Sequence, residues 1–568
     1  MAKTSQVTRR RTFVAATLAA GLAMLSVGTI LVTAAEPAKQ SAKQKQIALG
    51  SELFSREWIP NDSRSHSGDG LGPMYNESSC VACHNLGGPG GAGPVSKNVD
   101  IITAFSNRQR MGRRAQSPTL PEAIVRALFG GLTEPKVKKP VEKKSRKQLL
   151  AERKKALAEQ KERDRKELVK IHPGFQTTRS VVLHRFATEE GYQRWRSRLA
   201  QGGFMHINSV AFVSPALADG LVVEAPLQAL EPVAIATTQA RRFDFERMEQ
   251  LRMQVQMGRH QMSGVTSQVG NFALLRSQRS PTPLFGLGLL DAIDDKTLVE
   301  ASLKKHKKFP EVSGRVARLK DGRIGRFGWK AQIVSLEDFT LTACAVELGL
   351  DVPKHPQAGS TQNPKYKSPG HDLTKAQADA MVAFLAALPA PKQRQLAPGK
   401  DKEYIDGGEA LFAKVGCATC HTKNLGEAKG VYSDLLVHDM GPELGDSGGS
   451  YGVFIPNSSP DDEPVEIQPL ARGFAPPRAT TKAKSKKKII GATRQEWRTP
   501  PLWGLRDSSP YLHDGRADTV EQAIAMHGGE ARRIARGYFR LKPAERQQVV
   551  LFLKSQVAPK QTAVAGSR

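Results

Sequence analysis

The chain has 568 residues, with 84 lysines and arginines against 55 aspartates and glutamates, a formal net charge of +29 and 39% hydrophobic residues. This length excludes a single ordinary domain, and the hydrophobic share suffices for real cores. The excess of basic residues favours binding to anionic surfaces or partners. The sequence contains no helix-turn-helix, zinc-finger or RNA-binding signature, so nucleic acid is not an expected partner.

The N-terminus is typical of a targeting segment. Residues 1–35 contain three consecutive arginines, Arg9–Arg11, followed by an uncharged apolar run of 23 residues from Phe13 to Ala35. Such a run suits a cleaved signal peptide and is also long enough for an uncleaved membrane anchor. Both alternatives place the rest of the chain in the periplasm or another extracytoplasmic compartment, with residues 36–49 as a tether.

Two basic segments interrupt the chain. Residues 136–170 contain 15 Lys or Arg against 6 Asp or Glu. Their composition favours helix, and their leucines (Leu149, Leu150, Leu157 and Leu168) are too sparse for a buried stripe. We therefore expect a solvated helical insert without a catalytic role, which could steer an acidic partner. The second basic segment, 475–490, is predicted to be a disordered loop.

Outside these segments, four blocks occur twice in the same order. The pairs are Gly50–Phe54 with Gly408–Phe412, Cys80–His84 with Cys417–His421, Pro283–Leu287 with Pro501–Leu505, and Leu373–Leu385 with Leu541–Leu553. A helix, a cysteine motif, long loops and a closing helix are typical of a cytochrome c module. The repeat predicts two such modules, 50–392 and 400–558, and a tail, 559–568.

Four of the five cysteines form two Cys-x-x-Cys pairs, each followed directly by histidine. The residues are Cys80, Cys83 and His84 in the first half, and Cys417, Cys420 and His421 in the second. Two such sulfurs lie on one side of a turn and can form thioethers to a haem, whose iron the histidine then meets. A zinc site would need four ligands from two separate modules, and a redox dithiol needs no histidine. The motifs therefore predict two covalently bound c-type haems.

Longer stretches of the chain resemble a known family. Trp497–Arg516, Leu435–Gly441 and Arg326–Ala331 are similar to the di-haem oxidoreductases, a thiol-oxidoreductase-like group within the bacterial di-haem cytochrome c peroxidase superfamily. The basic segments fall outside this resemblance, and residues of about 175–270 match it poorly. It implies a mainly α fold of two cytochrome c-like domains with long loops and a charged helical insert. In such relatives one haem transfers electrons and the other meets hydrogen peroxide.

The resemblance also implies different axial sides for the two haems. In relatives the sixth ligand of the second haem lies seven residues after an apolar residue that corresponds to Val520, which is His527 here, with Met526 as an alternative. The equivalent position in the first half is Ala343, which cannot ligate iron. Glu347 lies near the place where relatives carry a distal acid. The second haem is therefore expected to be closed and the first open.

The roles of several further residues are also predictions, and some residues are open to more than one interpretation. Trp329 matches a tryptophan between the haems in relatives and is an electron relay or a plain core residue. Glu347 is a general acid and base or a surface carboxylate, and Cys344 is a small buried residue, a reactive thiol or an iron ligand. Ser508 and Pro510 match positions whose carbonyls bind an inter-haem calcium ion in relatives.

The sequence leaves three functions open. The first is a peroxidase-like oxidoreductase that passes electrons from the closed second haem to the open first haem, with hydrogen peroxide as substrate and a redox protein as partner. Phe339 stands where the peroxidases carry glutamine, which argues against efficient peroxide activation. The second function is a non-catalytic electron carrier with two closed haems. The third is a scaffold whose basic helix docks to an anionic polymer or membrane.

Overall fold

A computed structural model describes residues 41–106, 145–200, 240–259, 264–446 and 491–559. The predicted targeting segment 1–35, the basic loop 475–490 and residues 560–568 of the tail lie outside these ranges. Among the described residues, no helix combines the length and the hydropathy that a membrane crossing requires.

The described chain is largely helical and also contains small antiparallel sheets. Its helices are α1 Ala42–Ser55, α2 Cys80–Cys83, α3 Arg146–Val169, α4 Tyr192–Ala200, α5 Ala240–Arg259, α6 Leu287–Asp291, α7 Asp295–Leu303, α8 Leu336–Glu347, α9 Lys375–Ala387, α10 Lys400–Val415, α11 Val520–Ala525, α12 Arg532–Phe539 and α13 Pro543–Lys554. Its strands are β1 Met74–Tyr75, β2 Val99–Ser106, β3 Ser180–Val182, β4 Phe186–Ala187, β5 Gly264–Val269, β6 Phe272–Arg279, β7 Ala317–Arg318, β8 Ile324–Gly325, β9 Lys392–Gln393, β10 Val437–Asp439, β11 Glu496–Arg498 and β12 Gln556–Val557.

The first and closing helices of each repeat pack against each other, α1 on α9 and α10 on α13. Gly50 and Gly408 occupy equivalent places at these crossings. A Cβ atom at Gly50 would collide with the Ala380 carbonyl, and one at Gly408 would collide with the Gln548 carbonyl. Glycine is needed at both positions because the two helix backbones approach so closely. The first helix starts earlier than predicted, inside the tether, because Ser41 caps it.

A four-stranded antiparallel sheet, in the order β3-β2-β6-β5, was not predicted. Its central pair joins Val99–Ser106 to Phe272–Arg279, with Ile102 opposite Arg276. The strands lie far apart along the chain, and α3, α4 and α5 come between them. The two central strands are therefore not joined by a turn motif from which their pairing could be predicted.

The charged helix α3 lies inside the predicted insert 136–170. Its middle is solvated, since Leu157 is 45% exposed. Its last turn differs from the prediction, because Leu168 is only 1% exposed and packs with Ile102, Phe175 and Leu274 beneath the sheet. A sparse apolar pattern was enough here because only the end of the helix, and not a full face, meets the core.

This arrangement predicts that two leucines of α3 contribute very differently to stability. Leu168→Ala should lower the free energy of unfolding by about 2–5 kcal/mol, since it leaves a cavity under the sheet. The matched control Leu157→Ala should change it by less than about 0.5 kcal/mol, because that side chain is half in water. Urea unfolding followed by far-ultraviolet circular dichroism checks both values. Equal effects of the two substitutions would contradict the burial of the last turn.

Candidate functional site

A cavity of about 990 Å³, counting its open mouth, lies in the first half of the chain. The predicted residues that line it are Cys80, Cys83, His84, Trp329, Ala343, Cys344 and Glu347. The fold thus brings the first cysteine motif and the C-terminal part of α8 to one space, although they are distant in sequence.

The imidazole of His84 is oriented and neutral, as a metal ligand must be. Its Nδ1 lies 3.0 Å from the Gly91 carbonyl oxygen and donates to it, which leaves Nε2 with a lone pair. Burial lowers the pKa of His84 to about 4, so the ring is neutral at physiological pH. Burial also raises the pKa of the Cys83 thiol to about 12, which argues against a reactive dithiol. The donor set therefore fits a covalently attached haem.

The cavity is also lined by an acid, Glu347, and by Ala343, which offers no ligand atom. Glu347 Oε2 accepts a hydrogen bond from Asn76 Nδ2 at 2.6 Å, whereas the buried Oε1 atom has no hydrogen-bond partner among the described residues. Burial raises the pKa of Glu347 to about 7, against the lowering effects of Asn76 and Arg185. The carboxyl group can thus gain or lose a proton near neutral pH.

Asn76 was missed by the sequence reasoning. Its Oδ1 accepts a hydrogen bond from the Arg185 backbone N–H at 3.0 Å, and this bond orients the amide toward Glu347. Its place four residues before Cys80 was a weak signal, because nothing local indicates that the chain later returns with a carboxylate.

The second half brings two imidazoles together. His421 Nδ1 lies 2.9 Å from the Tyr432 carbonyl oxygen, and His527 Nδ1 lies 2.8 Å from that of Ala523. Burial lowers the pKa of both residues, to about 4 for His421, where charge on His527 contributes further. Each ring therefore keeps Nε2 as an acceptor. Two neutral imidazoles that interact electrostatically fit a haem iron with two histidine ligands.

Met526 lies beside His527 but belongs to a different environment. Its fully buried side chain packs with Val255, Leu444 and Trp497, whereas Cys417 packs in a separate cluster. This separation favours His527 over Met526 as the ligand.

His438, next to the second motif, is held by two carboxylates. Its Nε2 lies 3.0 Å from Asp434 Oδ2 and its Nδ1 lies 2.9 Å from Glu530 Oε2. Burial alone would lower the pKa of His438, but these hydrogen bonds and one with Cys420 raise it well above its usual range. His438 is thus a buried cation behind the motif, and it has no free ring nitrogen with which to bind iron. Neither carboxylate was indicated by the sequence.

Trp329 borders both the first site and the second half of the chain. It lines the cavity of the first half and also packs against the cluster that contains Met526 and Trp497. Its Nε1 donates to the Ser280 carbonyl oxygen at 2.9 Å, which fixes the indole ring. The neighbouring Lys330 directs its ammonium group away from the cavity, 3.4 Å above the ring of Trp497.

The predicted calcium site stays a prediction. The Ser508 hydroxyl donates to the Gly504 carbonyl oxygen at 2.9 Å. Within the described ranges, one group of three His, Cys, Asp or Glu residues has the spacing of a metal site, and it consists of Cys420, Asp434 and His438. Neither Ser508 nor Pro510 lies in such a group.

Two curated proteins are similar to parts of the chain. Methylamine utilization protein MauG of Methylorubrum extorquens is 31% identical over 157 residues, which are 26% of this chain and 33% of that protein. Hydrazine synthase subunit gamma of Kuenenia stuttgartiensis is 27% identical over 205 residues, which are 34% of this chain and 53% of that protein. The chain thus spans between a third and about half of the length of these relatives.

Two solved structures show a weak overall likeness. Hydrazine synthase of Kuenenia stuttgartiensis, pressurised with 20 bar xenon, matches 60% of this chain and 99% of its own with 17% identity and a TM-score of 0.20. A MauG-like protein associated with microbial copper homeostasis matches 47% of this chain and 90% of its own with 17% identity and a TM-score of 0.23.

The family comparison agrees with the resemblance seen in the sequence. Residues 253–452 and 483–556 match the family described as "Di-haem oxidoreductase, putative peroxidase". The matched residues include Trp329, Glu347, the second cysteine motif and His527, and they begin after the first motif. Over these residues, the chain is similar to the di-haem oxidoreductase family.

Proposed function

We propose that this chain is an exported c-type cytochrome with two haems, which acts as a peroxidase-like oxidoreductase and passes electrons from a closed second haem to an open first haem. The observation that carries the proposal is the asymmetry of the two sites. In the second half the neutral imidazoles of His421 and His527 interact electrostatically, whereas in the first half His84 shares a cavity with Ala343 and a carboxyl group. Bound haem would supply the redox chemistry.

In the first half, the chain supplies a proton-handling group. A general acid and base works best with a pKa near the working pH, and the pKa of Glu347 is about 7. Asn76 holds its Oε2, so the unpartnered Oε1 is the atom that exchanges a proton with a substrate in the cavity.

In the second half, the chain supplies rigidity. Carbonyl oxygens of Tyr432 and Ala523 fix the orientation of His421 and His527, and fixed ligands limit rearrangement when an electron arrives or leaves. Trp329 lines the first cavity and also packs against the cluster of Met526, the residue before His527, so it offers an aromatic group between the two halves. We propose it as the electron relay.

The alternative function is a non-catalytic di-haem electron carrier, and one observation favours it. Phe339 lines the cavity and stacks on Phe327 with ring centroids 5.6 Å apart, where the peroxidases carry a glutamine. An apolar ring cannot bind the oxygen atoms of a peroxide. The two functions differ in the coordination of the first iron. In an electron carrier this haem would be closed, whereas in a peroxidase it would be open.

The proposed location and partner rest on the sequence. Residues 1–35 support export to the periplasm, with or without retention as an anchor, because haem attachment of this type follows export. The exposed basic residues of α3 support an acidic redox protein as the partner, since opposite charge speeds encounter and its effect weakens with salt.

The purified holoprotein should carry two haems, one low spin and one high spin. Mass spectrometry after denaturation should show both haems still attached, because thioethers are covalent. Electron paramagnetic resonance of the oxidised protein should show one signal of each kind. Replacing Cys417 and Cys420 with alanine is the control, since it should remove only the low-spin signal. Two low-spin haems with strong ligands would instead support the carrier function.

A further inference from the structure

Helix α5 lies in the part of the chain predicted to belong to the first module, yet it packs against α11 and α12 of the second half. Met248, Arg252 and Val255 follow each other at helical spacing on one face of α5 and are 1%, 6% and 4% exposed. Met248 packs into the core of the second half, and Val255 packs against Met526. This face of α5 therefore covers the turn that carries His527.

Arg252 is the polar centre of this contact. Its Nε donates to the Ala525 carbonyl oxygen at 2.5 Å, and its Nη2 donates to the His527 carbonyl oxygen at 3.3 Å. The last carbonyls of a helix have no partner inside the helix, and a buried one must find another donor. The planar guanidinium group meets two of them at once, which a flexible side chain with one donor atom does less well.

We propose that Arg252 is a positioning residue for His527, and that α5 is a clamp on the sixth ligand of the second haem. The proposal rests on the proposed function, in which His527 binds that iron. The Arg252 contact holds the backbone on the C-terminal side of α11, while the Ala523 carbonyl holds the ring itself. Fixing both ends leaves the imidazole little freedom to leave the iron. The family match begins at residue 253, so it does not include Arg252.

Two substitutions separate this role from simple packing. Arg252→Met keeps most of the volume and the apolar stem but removes every donor, so it leaves two buried carbonyls without their partner. Arg252→Lys keeps the charge and can satisfy one carbonyl. The matched control is Arg247→Met on the same helix, because Arg247 is half exposed and pairs with Glu521 of α11 at 2.8 Å. It removes a surface ion pair to the same neighbour without touching the turn.

The experiment is a cyanide titration of the oxidised holoproteins, followed by the low-spin bis-histidine signal of the second haem. In Arg252→Met, cyanide should displace His527 at roughly tenfold lower concentration, as expected from the loss of a charge-assisted hydrogen bond. Arg252→Lys should lie between this variant and the wild type, and Arg247→Met should match the wild type. The reduction potential of the second haem should shift in the Arg252 variants alone.

The outcomes also distinguish the clamp from the proposed function. A wild-type protein without a bis-histidine signal overturns the proposed function and the clamp with it. A wild-type protein with that signal and an Arg252→Met variant that resists cyanide equally well overturns the clamp alone. If Arg252→Met does not fold, Arg252→Lys decides, and an unchanged titration in that variant overturns the proposal.

Discussion

Replacing His527 with alanine is expected to convert the second haem from low spin to high spin and to leave the spectrum of the first haem nearly unchanged. The reason is that the described residues place one neutral imidazole beside His421, and alanine offers no donor atom. His84 lies in a separate cavity with its own hydrogen bond to Gly91, so the first site keeps its surroundings. Electronic absorption and electron paramagnetic resonance of the oxidised protein measure both effects.

The adjacent residue provides the control for this substitution. Met526→Leu removes the sulfur but keeps the apolar volume that packs with Val255 and Trp497, so the low-spin signal should persist. The opposite pattern, with the signal kept in His527→Ala and lost in Met526→Leu, would assign the ligand to the methionine. Loss of the signal in both variants would indicate that the turn itself had collapsed.

Replacing Glu347 with glutamine should slow peroxide turnover by about 10²–10⁴-fold, the usual contribution of a positioned acid and base. Glutamine keeps the shape of the side chain and can still contact Asn76, but it cannot take up a proton. The covalent attachment of both haems should be unchanged, since the cysteine motifs are untouched. Steady-state turnover with hydrogen peroxide, normalised to haem content, measures the effect.

The pH profile tests the same group independently. The pKa of Glu347 is about 7, so the carboxyl group is protonated below this pH and charged above it. A base that accepts the first peroxide proton must be charged, and wild-type turnover should therefore rise as the pH increases through about 7. This rise should be absent in Glu347→Gln.

Another carboxylate of the same helix serves as the control. Glu337 is exposed at the start of α8, where it pairs with Lys354 at 3.7 Å, and Glu337→Gln should keep both the rate and the pH profile. A Glu347→Gln variant with the turnover and the pH profile of the wild type would contradict the acid and base role. The electron-carrier function would then be favoured.

Local patterns in the sequence were sufficient to predict the two haem-binding motifs. Cys80–His84 and Cys417–His421 each lie within a single turn, so their chemistry depends on no distant part of the chain. The repeat also identified the closing helices α9 and α13, because each is an uninterrupted helical segment. His527 was indicated by the resemblance to the family, in which the ligand lies seven residues after the position of Val520, and its role as a ligand stays a prediction.

Other features depend on residues that meet only after folding. Asn76 and Glu347 are 271 residues apart, and Arg252 and His527 are 275 apart. No period or motif links such pairs, since they belong to elements whose docking is decided by the whole core. The four-stranded sheet was missed for the same reason, as its central strands pair across several helices.

The sequence by itself determined that the chain carries two haem-binding motifs, because a thioether pair and its adjacent histidine are fixed by covalent spacing. It also indicated a resemblance to the di-haem oxidoreductases, since each motif that carries the resemblance is a contiguous stretch of the chain. The tertiary structure alone decided which carboxyl group is buried with its pKa near 7 and which helix covers the turn of His527. Burial and hydrogen-bond partners decide both, and they arise when distant segments pack together.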